Sequence, residues 1–283
     1  MTFKSLALVS VLTMSGSLFA NAEHPQPFGP DFPTLDGFAT GNWWTKGKSD
    51  PQAKKKKRGA KVPIEMDVAR DQVVAFAVYT HERGTLKISA QLFPLKPGED
   101  REVRLELRQN GKWLPVRKAQ VIYPGWSAHF RIENWDNTRN VAYRVRHGQK
   151  AMFEGLIRRD PIEKEVIIVG NLSCNSSRTA GPRPQIIDNL KAQNPDLLFF
   201  AGDQSYHHTQ HTAGWLEFGL QFRDVFRDRP MIAIPDDHDV GQGNIWGENG
   251  KKASSGAGSD GGYYYPVGYV NMVQRQQTWH LPD

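Results

Sequence analysis

Residues 195–203 read PDLLFFAGD, in which five apolar residues separate a Pro-Asp pair from a Gly-Asp pair. An apolar run this short and continuous is typical of a β-strand that is covered on both faces. The runs VIIV at 166–169 and MIAI at 231–234 have the same character. We therefore expect three buried strands, each followed by a polar segment.

Two helices are predicted between these strands. One begins at Pro184 and ends at Ala192, and the other covers 215–227, because apolar residues recur in both at helical spacing. The resulting β-α-β-α-β order predicts a parallel sheet with helices packed on its faces. The Gly-rich stretch 241–262 is expected to be a long loop, either functional or disordered.

The preceding segment, 62–160, has a different pattern. Apolar and polar residues alternate there over about eight short strands, as in an antiparallel sandwich, and two of these are Trp113–Val116 and Ala119–Tyr123. Asn110 and Gly111 supply a hairpin turn. We expect an all-β sandwich, immunoglobulin-like or fibronectin-III-like, over 62–160, followed by an α/β domain over 161–283. The sandwich carries no catalytic cluster and is interpreted as structural.

The N-terminus predicts export. Lys4, an apolar stretch and the small-residue site Ala20-Asn21-Ala22 are typical of a secretory signal peptide over 1–22, cleaved after Ala22. A short membrane anchor or a buried helix is the alternative. We expect a secreted or periplasmic protein whose residues 23–61 form a Pro-rich, basic leader. Its basic block at 54–58 is interpreted as a solvated linker in preference to a site that reads nucleic acid.

The composition excludes several classes of protein. A single cysteine cannot form a disulfide framework, and a content of 39% hydrophobic residues with eight Trp excludes wholesale disorder. Beyond residue 22 no apolar run approaches the roughly 20 residues of a membrane span. The net charge of +6 comes from the first 160 residues, because acidic side chains outnumber basic ones in 161–283.

Polar side chains follow each of the three predicted parallel strands. Cys174 comes after the first strand, Asp203 and Tyr206 after the second, and Asp237 and His238 after the third. Because carboxyl ends of parallel strands meet at one sheet edge, these groups are expected to converge. Carboxylate, thiolate, phenolate and imidazole are metal ligands, and several carboxylates brought together favour a cation. The alternatives are a helix cap for Asp203 and a buried apolar role for Cys174.

These motifs resemble those of the PhoD-like alkaline phosphatases within the calcineurin-like metallophosphoesterases. Ser173-Cys174, Gly202-Asp203 with Tyr206, and Asp236-Asp237-His238-Asp239 occur in the matching order. The resemblance covers about 62–283 and implies a four-layer αββα sandwich, of which only the first half is present. It also implies hydrolysis of phosphate mono- or diesters by metal-activated water, whereas teichoic-acid-like polymers and phospholipid headgroups stay open as substrates, as does the oligomeric state.

The resemblance further implies a role for each matching residue. Cys174 and Tyr206 would ligate Fe³⁺, and Asp203 would bridge it to Ca²⁺. Asp237 would be a further metal ligand. His238 would stabilise the leaving oxygen or the transition state, and Asp239 would orient its imidazole. Two further residues are candidate substrate contacts, Asn175 and Asn244.

The chain departs from the family after His238. Members close the site with later histidines, and this sequence offers only His280. We therefore expect a domain that stops partway and a polypeptide with little activity. The alternative is a secreted, non-catalytic binding or adhesion module with a degenerate α/β domain. A serine esterase using Ser205 is disfavoured, because Gln204 interrupts the Gly-Asp-Ser motif and no Asp-x-x-His follows.

Overall fold

A computed structural model describes residues 26–39, 64–175 and 181–283. The predicted signal peptide, most of the predicted leader and the basic block at 54–58 lie outside the described residues. Within the leader, 26–39 forms turns that pack against the last third of the chain, where Phe28 and Leu35 contact a cluster around Tyr269 and Met272.

Seven antiparallel strands form two sheets. In chain order they are β1 (Val74–Glu82), β2 (Thr85–Leu92), β3 (Glu102–Gln109), β4 (Lys112–Gln120), β5 (Ser127–Glu133), β6 (Val141–His147) and β7 (Ala151–Ile157). One sheet has the order β1-β2-β5 and the other β4-β3-β6-β7. The predicted strands Trp113–Val116 and Ala119–Tyr123 belong to one strand, β4. Its pairing with β3 continues through a bulge. The hairpin at Asn110-Gly111 is confirmed, with both residues at positive φ.

The remaining elements form the α/β part. They are β8 (Val169–Leu172), α1 (Pro184–Gln193), β9 (Leu197–Phe200), α2 (His211–Phe226), β10 (Met231–Ala233) and α3 (Val267–Thr278). The three strands pair in parallel in the order β10-β9-β8, as the β-α-β-α-β pattern predicts. The sequence pattern did not predict α3. Its buried side includes Tyr269 and Val273.

The first of these strands differs from its prediction. β8 begins at Val169, and the run VIIV at 166–169 is exposed, with 72% of the Val166 surface accessible. Residues 166–168 precede β8, and Val169 at its start is 49% exposed. An edge position alone does not account for this, because β10 is also an edge strand and its Met231 and Ala233 are buried. In the central strand β9, Leu198 and Phe200 are buried as well.

Helix α2 joins the two parts of the molecule. It packs against β1, and the ring of Phe76 lies 5.6 Å from that of Trp215, centroid to centroid. A Cβ at Gly219 would lie 1.8 Å from Phe76 Cε1, so only glycine permits this approach. One continuous apolar core therefore holds the parallel sheet against the sandwich. Among the described residues, no helix is long and apolar enough to cross a membrane.

Candidate metal centre

The segments that follow β8, β9 and β10 meet at one edge of the parallel sheet. The backbone N–H of Cys174 donates to Gly202 O at 3.2 Å, and that of Asn175 donates to Asp203 O at 2.8 Å. These bonds fix the first two segments to each other. The convergence expected from the topology is therefore present at the backbone level.

Asp203 lies at the centre of the cluster. Its Oδ2 accepts a hydrogen bond from the Tyr206 hydroxyl at 2.9 Å and lies 3.6 Å from Cys174 Sγ. The other oxygen, Oδ1, is buried and has no hydrogen-bond partner among the described residues, in a side chain that is 7% exposed. A buried carboxylate oxygen without a partner is costly unless a cation or a proton satisfies it.

Asp237 and His238 complete a group that fits a cation. One ligand atom each from Asp203, Asp237 and His238 lies within 4.8 Å of the others. Burial, together with the negative charges of Asp203 and Asp236, raises the pKa of the Asp237 carboxyl. Burial and the neighbouring Cys174 and Asp203 also raise the pKa of the Tyr206 hydroxyl. A cation would offset this crowding of negative charge, so the donor set fits a metal ion.

Three residues at the centre have positive φ, and two of them are not glycine. Cys174 and Asp203 have φ values of 55° and 57°, and Gly202 has a φ of 89°. A Cβ at Gly202 would lie 2.5 Å from Asp236 Cβ. Non-glycine residues rarely adopt this conformation, and such residues cluster where the fold must aim a side chain at a ligand.

Asp239 accepts hydrogen bonds from the backbone of two loops at the centre. Its Oδ2 accepts the backbone N–H groups of Asp203 at 2.8 Å and Asp236 at 3.0 Å, and its Oδ1 accepts that of Ser205 at 3.2 Å. The side chain therefore holds the loops after β9 and β10 together, and the role of orienting His238 stays a prediction. Burial, partly offset by these hydrogen bonds, raises the pKa of Asp239 to about 7.

The partner of His238 is His208. His208 Nε2 lies 2.5 Å from His238 Nδ1, and the two rings meet edge to edge, with their centroids 4.8 Å apart and an interplanar angle of 26°. His208 is one of three histidines in 207–211, the loop after β9 and the first residue of α2. His207 instead contacts Glu217 Oε2 at 3.1 Å, and His211 is fully buried, which lowers its pKa to about 3.

The remaining predicted residues fall in different places. Asn175 borders the centre, whereas Asn244 is exposed and donates to Ser259 Oγ at 3.0 Å. His280 is buried and contacts Met231 O at 2.8 Å, at the start of β10 and so at the opposite end of the strand from Asp237. Ser205 Oγ accepts the backbone N–H of His207, a loop contact that supplies no base to a serine nucleophile.

A cavity of about 300 Å³ opens beside the cluster. Asp203 and Cys174 form part of its wall, and Asn175 and Arg183 form another part. The apolar remainder of the lining includes Leu172, Ile186, Phe200 and Phe222. The cavity therefore combines a negative cluster, a guanidinium and an apolar surface in one recess.

Two solved structures have a fold similar to that of this chain. The structure of PhoD aligns over 71% of this chain and 43% of its own, with 13% identity and a TM-score of 0.51. The structure of PPD1, a purple acid phosphatase isolated from yellow lupin (Lupinus luteus) seeds, aligns over 74% of this chain and 40% of its own, with 15% identity and a TM-score of 0.50. No family model and no curated protein matches the sequence. The chain thus spans less than half the length of either structure and shares their fold over that part.

Proposed function

We propose that this chain carries the metal-binding half of a phosphoesterase that hydrolyses phosphate mono- or diesters. The observation that supports this most directly is the group formed by Asp203, Asp237 and His238, with a buried Asp203 oxygen that has no partner among the described residues. The similarity of fold to PhoD and to a purple acid phosphatase supports it independently.

In this proposal Asp203 and Asp237 hold the cation, and Cys174 and Tyr206 lie next to Asp203 as further ligands. When bound, the cation would neutralise phosphate oxygens and lower the pKa of water. His238, whose Nδ1 contacts His208 and whose ring centroid lies 4.2 Å from that of Tyr206, would contact the leaving oxygen and supply it with a proton. Asp239 would keep the two ligand-bearing loops in register through its three backbone hydrogen bonds.

The finer assignments belong to the same proposal. They are membership of the PhoD-like family, the four-layer αββα arrangement, Fe³⁺ with Ca²⁺ as the ions, and the division into a sandwich over 62–160 and a catalytic domain over 161–283. A thiol beside a carboxylate supports a softer ion together with a harder one. Export with cleavage after Ala22 is proposed from the sequence of residues 1–22 alone.

The test is hydrolysis of p-nitrophenyl phosphate and bis-p-nitrophenyl phosphate by the 283-residue chain, loaded in turn with different cations. The sequence predicts a polypeptide with little activity, so we expect slow turnover that still exceeds a blank of metal alone and that Asp203→Asn lowers to the level of the blank. Asp136→Asn is the matched control, since Asp136 lies in the loop between β5 and β6. Absence of turnover with every cation, or full activity in Asp203→Asn, would overturn the proposal. The ratio of the two substrates separates monoesterase from diesterase.

A further inference from the structure

One face of the parallel sheet is packed on helices. A Cβ at Gly170 of β8 would lie 3.1 Å from Leu190 Cδ2 on α1. On β9, the ring of Phe200 contacts those of Phe218 and Phe222 on α2, with centroids 4.9 and 5.1 Å away. Successive side chains of a strand point to opposite faces of the sheet. Gly170 and Phe200 therefore mark the face that α1 and α2 cover.

The opposite face, which we call the open face, carries the intervening side chains. Across β8, β9 and β10 and the residue after β10, they are Val169, Asn171, Leu197, Phe199, Ile232 and Ile234. Five of the six are apolar, and none is ionisable. Val169 and Ile234 are each 49% exposed, and the remaining apolar side chains of the face are half-buried. Parallel sheets are normally buried on both faces, so the open face has the composition of a surface that a further layer covers.

More exposed apolar side chains continue this surface at the start of β8. Ile167 and Val166 are exposed there, and Ile162 is 81% exposed. A cavity of about 470 Å³ opens at this end of the sheet, and its apolar lining includes Ile162, Ile167, Leu197 and Ile232. Together with the open face, these side chains expose on the order of 500 Å² of apolar surface, which is near the upper end for a monomeric protein.

We infer that the open face is an interface between two copies of this chain, packed face to face about a two-fold axis. The first argument is area. Two such surfaces would bury about 1,000 Å² in total, which reaches the lower limit of a specific protein interface. A polar rim surrounds the apolar centre of such interfaces, and the cavity beside the open face also has charged residues in its lining.

The second argument is charge. A two-fold axis brings a surface against its own copy, so a face with charged side chains of one sign would repel itself. The open face carries no charged side chain. In the lining of the cavity both signs are present, because Arg159 and Lys164 occur there together with Glu82 and Asp160. The surface is therefore compatible with itself. This inference is independent of the proposed phosphoesterase function.

The experiment is sedimentation equilibrium of the 283-residue chain at concentrations from about 1 to 100 µM, where we expect a dimer with a micromolar Kd or tighter. Val169→Lys should raise this Kd by about 100-fold or more, because each dimer then holds two buried ammonium groups in its interface. Ile234→Lys, at the other edge of the sheet, should do the same. Leu114→Lys is the matched control, since Leu114 is 42% exposed on β4 of the sandwich. It should leave the Kd unchanged.

Each other outcome would overturn the inference. A monomer at every concentration means that no second copy covers the open face. An unchanged Kd in both Val169→Lys and Ile234→Lys places the interface elsewhere, and equal weakening in Leu114→Lys shows a general effect of added charge. Assemblies that grow beyond the dimer contradict a closed two-fold contact. Circular dichroism checks that each variant is folded, and Ile234→Lys decides if Val169→Lys is not. Hydrolysis is measured separately, so a failure of the phosphoesterase proposal leaves this result intact.

Discussion

His208 Nε2 and His238 Nδ1 lie 2.5 Å apart, and their rings meet edge to edge. A hydrogen bond at Nδ1 of His238 determines which tautomer the ring adopts and therefore whether its Nε2 can donate or accept a proton. His208 is itself held from behind, since the hydroxyl of buried Tyr269 donates to His208 O at 2.9 Å. The resemblance assigned this orienting role to Asp239, and the structure gives the corresponding contact to a loop histidine.

Replacing His208 should therefore slow turnover more than it weakens substrate binding. We expect His208→Ala to lower kcat about 10-fold with a smaller change in KM, because His238 loses its orienting partner but the cavity wall is intact. His208→Gln, which offers an amide near the same position, should recover part of kcat. A matched change in His207→Ala, whose partner is Glu217, is the control. An effect on KM alone in His208→Ala would contradict the orienting role.

Gly202 should tolerate no side chain. At φ 89° an added Cβ would lie 2.5 Å from Asp236 Cβ, so Gly202→Ala combines backbone strain with a steric clash. We expect a loss of about 2–4 kcal/mol in the free energy of unfolding, measured by urea denaturation. Gly84→Ala is the control, because its φ is 76° but nothing lies within 4 Å of the new Cβ. It should cost only about 1 kcal/mol. Equal losses in the two variants would show that the clash is relieved by movement.

The parts of this structure that the sequence predicts are those set by local pattern. Three apolar runs with intervening helical periodicity give the parallel sheet, and sheet topology alone then brings Cys174, Asp203 and Asp237 to one edge. What the pattern cannot give is the environment of each element. The run at 166–169 is as apolar as a buried strand, yet three of its four residues precede β8 and all four are exposed.

Side-chain partners are likewise beyond a single sequence. Asp239 and His208 are polar residues in polar loops, and nothing in their neighbours shows that one holds the backbone and the other holds His238. Arg183 follows a Gly-Pro pair and resembles any residue before a helix. Its Nε donates to Asn175 Oδ1, and Asn175 Nδ2 donates in turn to Gln221 Oε1 on α2, 38 residues after Arg183. No sequence rule predicts such a contact.

A cation should reverse the effect of Asp203→Asn on stability. Without metal, Asp203 carries a buried negative charge beside Asp237, and removing it relieves repulsion. In the presence of a chelator we expect Asp203→Asn to be about 1 kcal/mol more stable than the wild type. With a divalent cation at 100 times its Kd, the wild type should gain about 2.7 kcal/mol and the variant much less. Differential scanning calorimetry measures both, with Asp136→Asn as the control. The same gain in Asp203→Asn would place the cation elsewhere.

Stability should fall with pH below about 6.5 because two histidines away from the metal centre are buried in neutral form. Burial lowers the pKa of His129 to about 3 and that of His280 to about 4. The folded pKa lies below the unfolded value of about 6.5, so the unfolded chain binds the extra protons. The contribution of each neutral histidine to the free energy of unfolding is complete above pH 6.5. It is lost progressively down to pH 4, at about 1.4 kcal/mol per pH unit for each histidine.

His280→Gln isolates one of these contributions, because a Gln amide can still donate to Met231 O. Other titrating groups change in parallel in both proteins and cancel in the comparison. Between pH 7.5 and pH 5.5, the wild type should lose about 1 kcal/mol more of its free energy of unfolding than His280→Gln does, as measured by urea denaturation at each pH. Equal losses would mean that His280 is protonated in the folded state, and its burial against β10 would then have to be abandoned.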